Sequence, residues 1–310
     1  MTIIDPINRT KLFGLEKYFS ELVRLYENNI LPNKILLSGQ KGIGKATLAY
    51  HFINYVLSKK EEYKYNTKDF EIIPDNPSFK TILNKSNPNF ILLDIPVEKK
   101  TIDLTQVRDL ISNLNKTSLN EKPRFILIDN IEFLNLNSIN ALLKIIEEPS
   151  INIHFFLINN NKKILDTLLS RCINFNIFLN HKENLEIANN LLGKKLDDIV
   201  NYELINYYFT PGKIYKLVKF SQLNDYDLKK LELKNFLQLI IKNNHYKKDL
   251  LMKDLVFDFI ELYLSKINFS LSYKINDKYN YFIKKLSDYR KYNLDEESFF
   301  IEFQETILNG

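Results

Sequence analysis

The feature that most limits what this chain can fold into is a cluster of glycines at residues 39–45. Three of the seven glycines in 310 residues lie there: Gly39, Gly42 and Gly44. The cluster follows a short apolar run at 35–38 and precedes apolar residues at helical spacing over 46–57. It fits the G-x-x-x-x-G-K pattern of a phosphate-binding loop, in which backbone N–H groups and a helix N-terminus surround phosphate oxygens. This pattern predicts a nucleotide site in which Lys45 reaches the β- and γ-phosphates, although such a turn can also serve packing alone.

The predicted site lacks groups that hydrolysis requires. The pattern asks for Ser or Thr after the lysine, where a hydroxyl binds Mg²⁺, and this chain has Ala46. Thr47 lies about 100° further around the helix and is not expected to substitute. A later apolar run ends in Asp129, a candidate metal ligand, but Asn130 follows where P-loop ATPases carry a Glu that polarises the attacking water. We expect Glu132 to point elsewhere, so the site is predicted to bind ATP or ADP weakly and to hydrolyse little or none.

Apolar runs of strand length alternate with helical patterns through the first 178 residues. The runs lie at 35–38, 90–95, 124–129 and 154–158, and the helical patterns lie at 46–57, 103–114 and 138–148. Strands that alternate with helices predict a parallel sheet covered on both faces. Between the first helix and the second strand, the polar stretch 59–89 is predicted to be a long loop with little regular structure.

The strand pattern disappears after about residue 180. Short helices are predicted over 182–220, then a break within 221–230, then amphipathic helices across 231–308. We therefore predict a nucleotide-loop domain at 1–179, a small helical domain at 180–225 and a second helical domain at 226–310.

Composition excludes several classes of protein. One Cys excludes a disulfide framework and a four-thiolate zinc module, and it fits a reducing cytoplasm. No run of about 18 apolar residues is present and the first nine residues do not form a secretory signal, so we expect a cytoplasmic protein without membrane contact. Residues 213–253 carry ten Lys and four acidic residues, a local net charge of +6. Such a run is usually a solvated face, but it leaves a DNA-binding module open.

Arginine is scarce in this chain, because only six of its 43 basic residues are Arg. One of them, Arg171, stands between Ser170 and Cys172, directly after the short apolar segment 165–169. In a chain so rich in Lys, an Arg suggests a position that requires the planar guanidinium and its bidentate hydrogen bonds. For a lone Arg, an ordinary surface position is the simpler explanation. The neighbouring segments therefore decide whether Arg171 has a functional role.

Those segments resemble the clamp-loader branch of the AAA+ ATPases. The resemblance rests on residues 42–49, 140–149 (Asn-Ala-Leu-Leu-Lys-Ile-Ile-Glu-Glu-Pro) and 170–172. Within that branch, Ala46 and the missing acid after Asp129 are similar to the delta-prime subunit family of bacterial DNA polymerase III. Similar segments occur at 88–93, 106–110 and 210–212. The resemblance covers about 1–215, and beyond it only 292–295 is familiar.

The resemblance implies an α/β P-loop domain of the AAA+ (RecA-like) type with a parallel sheet, followed by an all-α lid at 180–225 and an all-α C-terminal collar at 226–310. It implies a subunit of a hetero-pentamer that uses ATP to open a sliding clamp and place it on primed DNA. In that family delta-prime lacks effective ATPase activity, and its Ser-Arg-Cys arginine, here Arg171, projects into the ATP site of a neighbouring subunit. Asn159 stands where relatives sense the γ-phosphate.

The chain also departs from the family pattern. Several relatives carry four zinc-binding Cys residues after the first helix, whereas 59–89 has none, so no zinc and no required cofactor are expected. Leu142, Leu143, Ile145 and Ile146 can be core residues or can belong to a functional contact. The Phe- and Tyr-rich patterns at 255–263 and 297–303 can equally form the collar's own core or its contact with other subunits.

Two other functions stay open on the sequence alone. The chain can be an active ATP-driven clamp-loader motor, which turnover by the isolated chain would distinguish from a subunit without a working site. It can also be a DNA-binding module built on 213–253, and then its DNA affinity would fall steeply with salt.

Overall fold

The apolar runs of the first half form a parallel sheet in a computed structural model, which describes residues 5–96, 99, 101–115, 120–147, 152–253, 255–268, 273–292 and 296–309. The five strands are β1 (Lys34–Ser38), β2 (Phe90–Leu93), β3 (Arg124–Ile128), β4 (Ile153–Asn159) and β5 (Ile173–Asn176). Their order is β2-β3-β4-β1-β5, and every described pair of neighbours is parallel. The predicted parallel sheet is confirmed, but β5 was not predicted, because it alternates apolar residues with Asn and lacks a continuous apolar run.

Helices flank the strands along the chain, as the strand–helix alternation predicted. They are α1 (Glu16–Glu27), α2 (Lys45–Ser58), α3 (Pro77–Leu83), α4 (Leu104–Leu114), α5 (Leu136–Glu147) and α6 (Asp166–Leu169), and α7 (His181–Leu192) follows the last strand. The start of α4 is set by a capping box in which the Asp103 side chain accepts from the Gln106 N–H and the Gln106 side chain accepts from the Asp103 N–H. The predicted end of α5 at Glu148 and Pro149 lies outside the described residues.

One face of the sheet packs against α4 and α5. Val107 and Leu110 from α4 and Leu142 and Ile146 from α5 are buried in a single apolar cluster with strand residues such as Phe155. Leu143 and Ile145 are partly buried against the same cluster. The apolar residues of α5 therefore anchor that helix to the sheet. Of the two roles that the sequence allows them, core packing or a functional contact, this is core packing.

The prediction of a long irregular loop over 59–89 is wrong for one segment, because α3 forms there. The Asn76 side chain accepts a hydrogen bond from the Phe79 N–H at 2.6 Å and caps the helix, and Pro77 occupies its first turn. Asn76 also accepts from Asn54 Nδ2 at 3.0 Å and donates to the Tyr63 carbonyl at 2.5 Å. A buried polar side chain of α2 thus orders a segment more than twenty residues away, which sequence patterns do not show.

Replacing Asn76 with Ala should destabilise the protein strongly. The change removes a helix cap, leaves the Asn54 amide without its partner in a fully buried site, and takes a donor from the part-buried Tyr63 carbonyl. We expect the free energy of unfolding to fall by about 2–4 kcal/mol in urea titrations. The matched control is Asn115→Ala at an exposed position, which should stay within about 0.5 kcal/mol of wild type. Equal effects of the two changes would show that the Asn76 network does not order this segment.

The second half is helical, as predicted. Its helices are α8 (Leu196–Ile199), α9 (Pro211–Leu223), α10 (Leu233–Lys242), α11 (His245–Lys248), α12 (Leu250–Lys253), α13 (Leu255–Asn268), α14 (Tyr273–Tyr292) and α15 (Glu296–Phe303), with a π-helical turn at Gln304–Leu308. The break predicted within 221–230 is confirmed between α9 and α10. The chain divides into two compact units, Thr2–Ile187 and Ala188–Gly310. The predicted division into three domains stays a prediction.

The Phe-rich helices of the second unit build its own core. The fully buried aromatic side chains there include Phe236, Phe259, Phe282, Phe299 and Phe300. Phe282 contacts Phe299 and Phe303 edge to face, with ring centroids 6.1 and 5.4 Å apart. Most of the aromatic side chains at 297–303 are therefore buried in the core of this unit. Ile301 is the exposed apolar residue of α15. Of the familiar segment 292–295, residues 293–295 lie outside the described part.

No helix among the described residues is both long enough and apolar enough to span a bilayer.

Candidate functional site

The glycine loop connects β1 to α2 at the carboxyl end of the strand. Gly39, Gly42 and Gly44 all have positive φ, at 155°, 90° and 97°. Gly44 is the left-handed residue that starts α2, a conformation that costs glycine little. A Cβ on Gly39 would lie 2.5 Å from the Ile177 carbonyl oxygen, so no side chain fits there. The glycines thus allow a loop that closes tightly over the N-terminus of α2, as a phosphate-binding loop requires.

Lys45 is turned into this loop. Its Nζ donates to the carbonyl oxygens of Gly39 at 2.9 Å and Gln40 at 2.7 Å, and only 3 % of the residue is exposed. Burial lowers the pKa of Lys45 to about 8, while the carboxylates of Asp129 and Glu132 act in the opposite direction. A phosphate entering the loop would therefore replace two carbonyl acceptors of a lysine that is already satisfied.

Asp129 and Asn130 lie at the same edge, directly after β3. Burial, together with the nearby Asp94 carboxylate, raises the pKa of Asp129 to about 6. Asn130 has left-handed backbone, at φ 57°, and its side chain donates to Asp94 Oδ1 at 2.9 Å. Its Oδ1 accepts from Asn160 Nδ2 at 3.0 Å. The residue that replaces the expected Glu is thus an amide that is fixed in a polar network and cannot accept a proton as a carboxylate does.

Glu132 does not point elsewhere, so that prediction is wrong. A 3-10 turn at Ile131–Phe133 brings it back to the site, where its Oε1 accepts from Asn160 Nδ2 at 2.9 Å. Its carboxylate also acts on the pKa of both Lys45 and Asp129. The sequence pattern does not show that the chain turns directly after β3, and it is this turn that places the Glu132 side chain at the site.

Asn160 was missed by sequence reasoning, and Asn159 lies beside it with a different role in the structure. The Asn159 side chain donates to the Lys162 carbonyl at 3.0 Å and accepts from the Lys162 N–H at 3.1 Å, which closes the turn after β4. Asn160 instead joins Asn130 to Glu132. The only signal for Asn160 was its place at the carboxyl end of a buried strand. Sensing of a γ-phosphate by Asn159 stays a prediction.

Ala46 and Thr47 stand in the first turn of α2, both half-buried. The Ala46 methyl group presents no oxygen to a metal ion beside the phosphates. Among the described residues, no group of three or more His, Cys, Asp or Glu side chains is arranged to hold a metal ion.

Arg171 lies at the opposite edge of the sheet from the glycine loop. It precedes β5, which runs parallel to β1 with Ile173 beside Ile35, whereas the loop begins after Ser38. At about 3.3 Å per residue, the length of β1 places roughly 13 Å of strand between the two edges. The structure therefore groups Lys45, Asp129 and Asn130 and leaves Arg171 apart from them.

The sequence neighbours of Arg171, Ser170 and Cys172, make contacts within the fold. Ser170 ends α6, and its hydroxyl donates to the Thr167 carbonyl at 3.2 Å. Cys172 packs against the apolar cluster beneath the sheet. Burial raises the pKa of its thiol to about 11, so it is a poor nucleophile at neutral pH. These two residues thus hold the backbone on either side of Arg171.

A protein-family model described as DNA polymerase III, delta subunit, matches residues 14–180, more than half of the chain. The chain belongs to this family. The DNA polymerase III subunit delta' of Buchnera aphidicola subsp. Baizongia pistaciae is 30 % identical over 177 residues, 55 % of this chain and 51 % of the relative. The chain thus spans about half the length of this relative, and the predicted resemblance to the delta-prime family is confirmed.

Two further comparisons describe the family's breadth and its fold. The DNA polymerase III subunit gamma of the same organism is also 30 % identical, over 192 residues, 59 % of this chain and 48 % of the relative. The crystal structure of a DNA polymerase III gamma subunit-related protein from Thermotoga maritima matches 91 % of this chain and 96 % of its own length, with a TM-score of 0.52 at 16 % identity. The predicted P-loop AAA+ fold is confirmed, whereas sequence identity does not separate delta-prime from gamma.

Many lysines of the segment 213–253 have acidic or carbonyl partners within the chain. Lys213 pairs with Asp258 at 2.8 Å, and Lys230 pairs with Asp227 at 3.2 Å. Lys229 donates to the Asp197 carbonyl at 2.5 Å. These contacts favour a solvated protein face over a surface of lysines that binds DNA phosphates.

The partly buried Asp129 carboxyl should make the free energy of unfolding depend on pH. Because its folded pKa of about 6 exceeds the usual 3.8, the folded state binds the proton more tightly than the unfolded chain does. The stabilisation is present at low pH and is lost as the pH rises from about 4 through 6. We expect Asp129→Asn to raise the free energy of unfolding at pH 7.5 by about 1–2 kcal/mol and to flatten this part of the pH profile, measured by urea titration. Asp109→Asn, an exposed control on α4, should change neither.

Proposed function

We propose that this chain is a clamp-loader subunit of DNA polymerase III that does not act as a motor and that supplies Arg171 to the ATP site of a neighbouring subunit. The observation that carries the proposal is the position of Arg171. A guanidinium at the amino-terminal edge of the sheet is separated by a strand length from the chain's own loop at the carboxyl edge. It can meet a nucleotide phosphate on another molecule far more readily than on its own.

The chain's own site supports the non-motor half of the proposal. It retains the loop, Lys45 and Asp129, which bind phosphate and metal in working P-loop ATPases. It lacks the hydroxyl at position 46 and the carboxylate at position 130. Its lysine is already bound to loop carbonyls. These features favour weak binding of ATP or ADP without hydrolysis, and no cofactor is required for the subunit to act.

The chemistry of Arg171 supports the other half. A planar guanidinium donates two parallel hydrogen bonds and keeps its charge at any physiological pH, so it can neutralise the charge that develops on a phosphate during transfer. Arginine fingers supplied in trans accelerate phosphoryl transfer by about 10³- to 10⁵-fold. Arg171 is about one-third exposed and is held between α6 and β5, which suits a residue that must reach outward from a rigid base.

The partners follow from the family relation and are part of the proposal. The matched relatives are named as delta' and gamma subunits of DNA polymerase III. We propose that this chain assembles with such subunits into a hetero-pentamer, and that it meets the sliding clamp and primed DNA through that complex.

Arg171→Ala tests the trans role directly. In a complex reconstituted with this chain and its partner subunits, ATP hydrolysis at the neighbouring site should fall by about 10³-fold or more, so most clamp-loading ATPase is lost. The matched control is Lys45→Ala, which alters the chain's own site and should change the complex's turnover by less than about twofold. Retention of full turnover by Arg171→Ala would remove Arg171 from the mechanism. An equal loss in Lys45→Ala would show that the chain's own site is used.

The isolated chain distinguishes this proposal from an active motor. Because the hydroxyl at 46 and the carboxylate at 130 are missing, purified chain should show no ATP turnover above a Lys45→Ala control in a steady-state phosphate-release assay. Turnover comparable to that of a motor subunit, and abolished by Lys45→Ala, would establish the motor function instead.

A further inference from the structure

The guanidinium of Arg171 is already bound in this structure. Its Nε and Nη2 donate to a single oxygen of Glu147, Oε1, at 3.0 and 2.7 Å. Its Nη1 donates to the carbonyl oxygen of Thr167 at 2.7 Å. Two edges of the planar group are therefore occupied, and its positive charge is matched by a carboxylate. A phosphate that binds Arg171 side-on, through Nε and Nη2, has to replace the Glu147 carboxylate.

Both sides of this ion pair are fixed by buried structure. Glu147 is the last described residue of α5, whose Leu142 and Ile146 are fully buried against the sheet. On the other side, Leu168 is buried and Cys172 packs against the same apolar cluster. The pair joins two elements that the core holds in place, so its geometry is set by the fold and not by chance contact of two mobile side chains. Both residues belong to the unit Thr2–Ile187.

The pair is nevertheless weak enough to open. The side chains of Arg171 and Glu147 are 34 % and 50 % exposed, so water screens their attraction. A nucleotide γ-phosphate carries more charge than a carboxylate and accepts the same bidentate hydrogen bonds. A strongly charged phosphate can therefore take the guanidinium from Glu147, whereas a weaker acceptor cannot compete as well.

We propose that Glu147 is a positioning residue that holds the Arg171 guanidinium in a resting orientation until a phosphate from the neighbouring subunit displaces it. This inference rests on the proposed trans role of Arg171. Glu147 keeps the guanidinium planar, paired and close to the end of α5 when no neighbouring nucleotide is engaged. Engagement exchanges the carboxylate for the phosphate, so part of the interaction energy with the nucleotide is used to release Glu147.

Glu147→Gln tests the exchange in the reconstituted complex. Glutamine keeps the size and an acceptor oxygen of Glu147 but removes the charge that competes with phosphate. We expect kcat/KM for ATP to rise by about 1.5- to 5-fold, the factor by which exposed ion pairs shift equilibria. Glu147→Asp, which retains the charge on a shorter side chain, should fall between wild type and Glu147→Gln. The matched control is Glu27→Gln, which breaks the exposed ion pair of Glu27 with Lys59 at 2.7 Å and should leave kcat/KM unchanged.

A double-mutant cycle separates release of Arg171 from a general structural effect. In an Arg171→Ala background, Glu147→Gln should have no effect on kcat/KM, and thermal unfolding should show that every variant is folded. A fall or no change in kcat/KM for Glu147→Gln, with Arg171→Ala still inactive, would overturn the role of Glu147 and leave the trans role of Arg171 standing. Full activity of Arg171→Ala would overturn the proposed function itself, and this inference with it.

Discussion

Parallel pairing of β1 with β4 and β5 is the constraint on which the rest of this structure depends. Because parallel strands end at a common edge, the glycine loop after β1 and Asp129 after β3 meet at one side of the sheet. The order β3-β4-β1 places the end of β4 between them, which is why Asn160 can join Asn130 to Glu132. The same pairing sends Arg171, just before β5, to the other edge. One backbone arrangement thus both brings Lys45 and Asp129 to one end of the strands and separates the Arg171 guanidinium from them.

The electrostatics of the site follow from burying opposite charges close together. Burial disfavours the charged forms of both Lys45 and Asp129, while each makes the charge of the other less costly. The loop carbonyls and the Asn130 N–H satisfy part of the remaining hydrogen-bonding capacity. The site keeps the charges of Lys45 and Asp129 but lacks the hydroxyl at position 46 and the carboxylate at position 130. That difference is why the proposed activity lies with the more exposed Arg171.

Prediction from sequence succeeded where a pattern is local. The glycine loop, the buried strands β1, β3 and β4 and the helices α2 and α4 follow from residue spacing over fewer than fifteen positions. Prediction failed where partners lie far apart in the chain. The strand β5 exists because β1 offers it a backbone edge, and α3 is capped by Asn76, which is itself held by Asn54. Glu132 was misplaced because one 3-10 turn reversed the chain.

The sequence by itself determined the phosphate-loop pattern, the missing hydroxyl at Ala46, the missing carboxylate at Asn130 and the membership of Arg171 in a Ser-Arg-Cys segment. Those properties depend only on which residue occupies which position. Tertiary structure alone decided that Lys45 donates to its own loop and that Glu132 returns to the site. It also decided that Arg171 lies at the other end of the strands, paired with Glu147. These contacts join residues that are distant in sequence or separated by a turn, and only strand pairing and core packing bring them together.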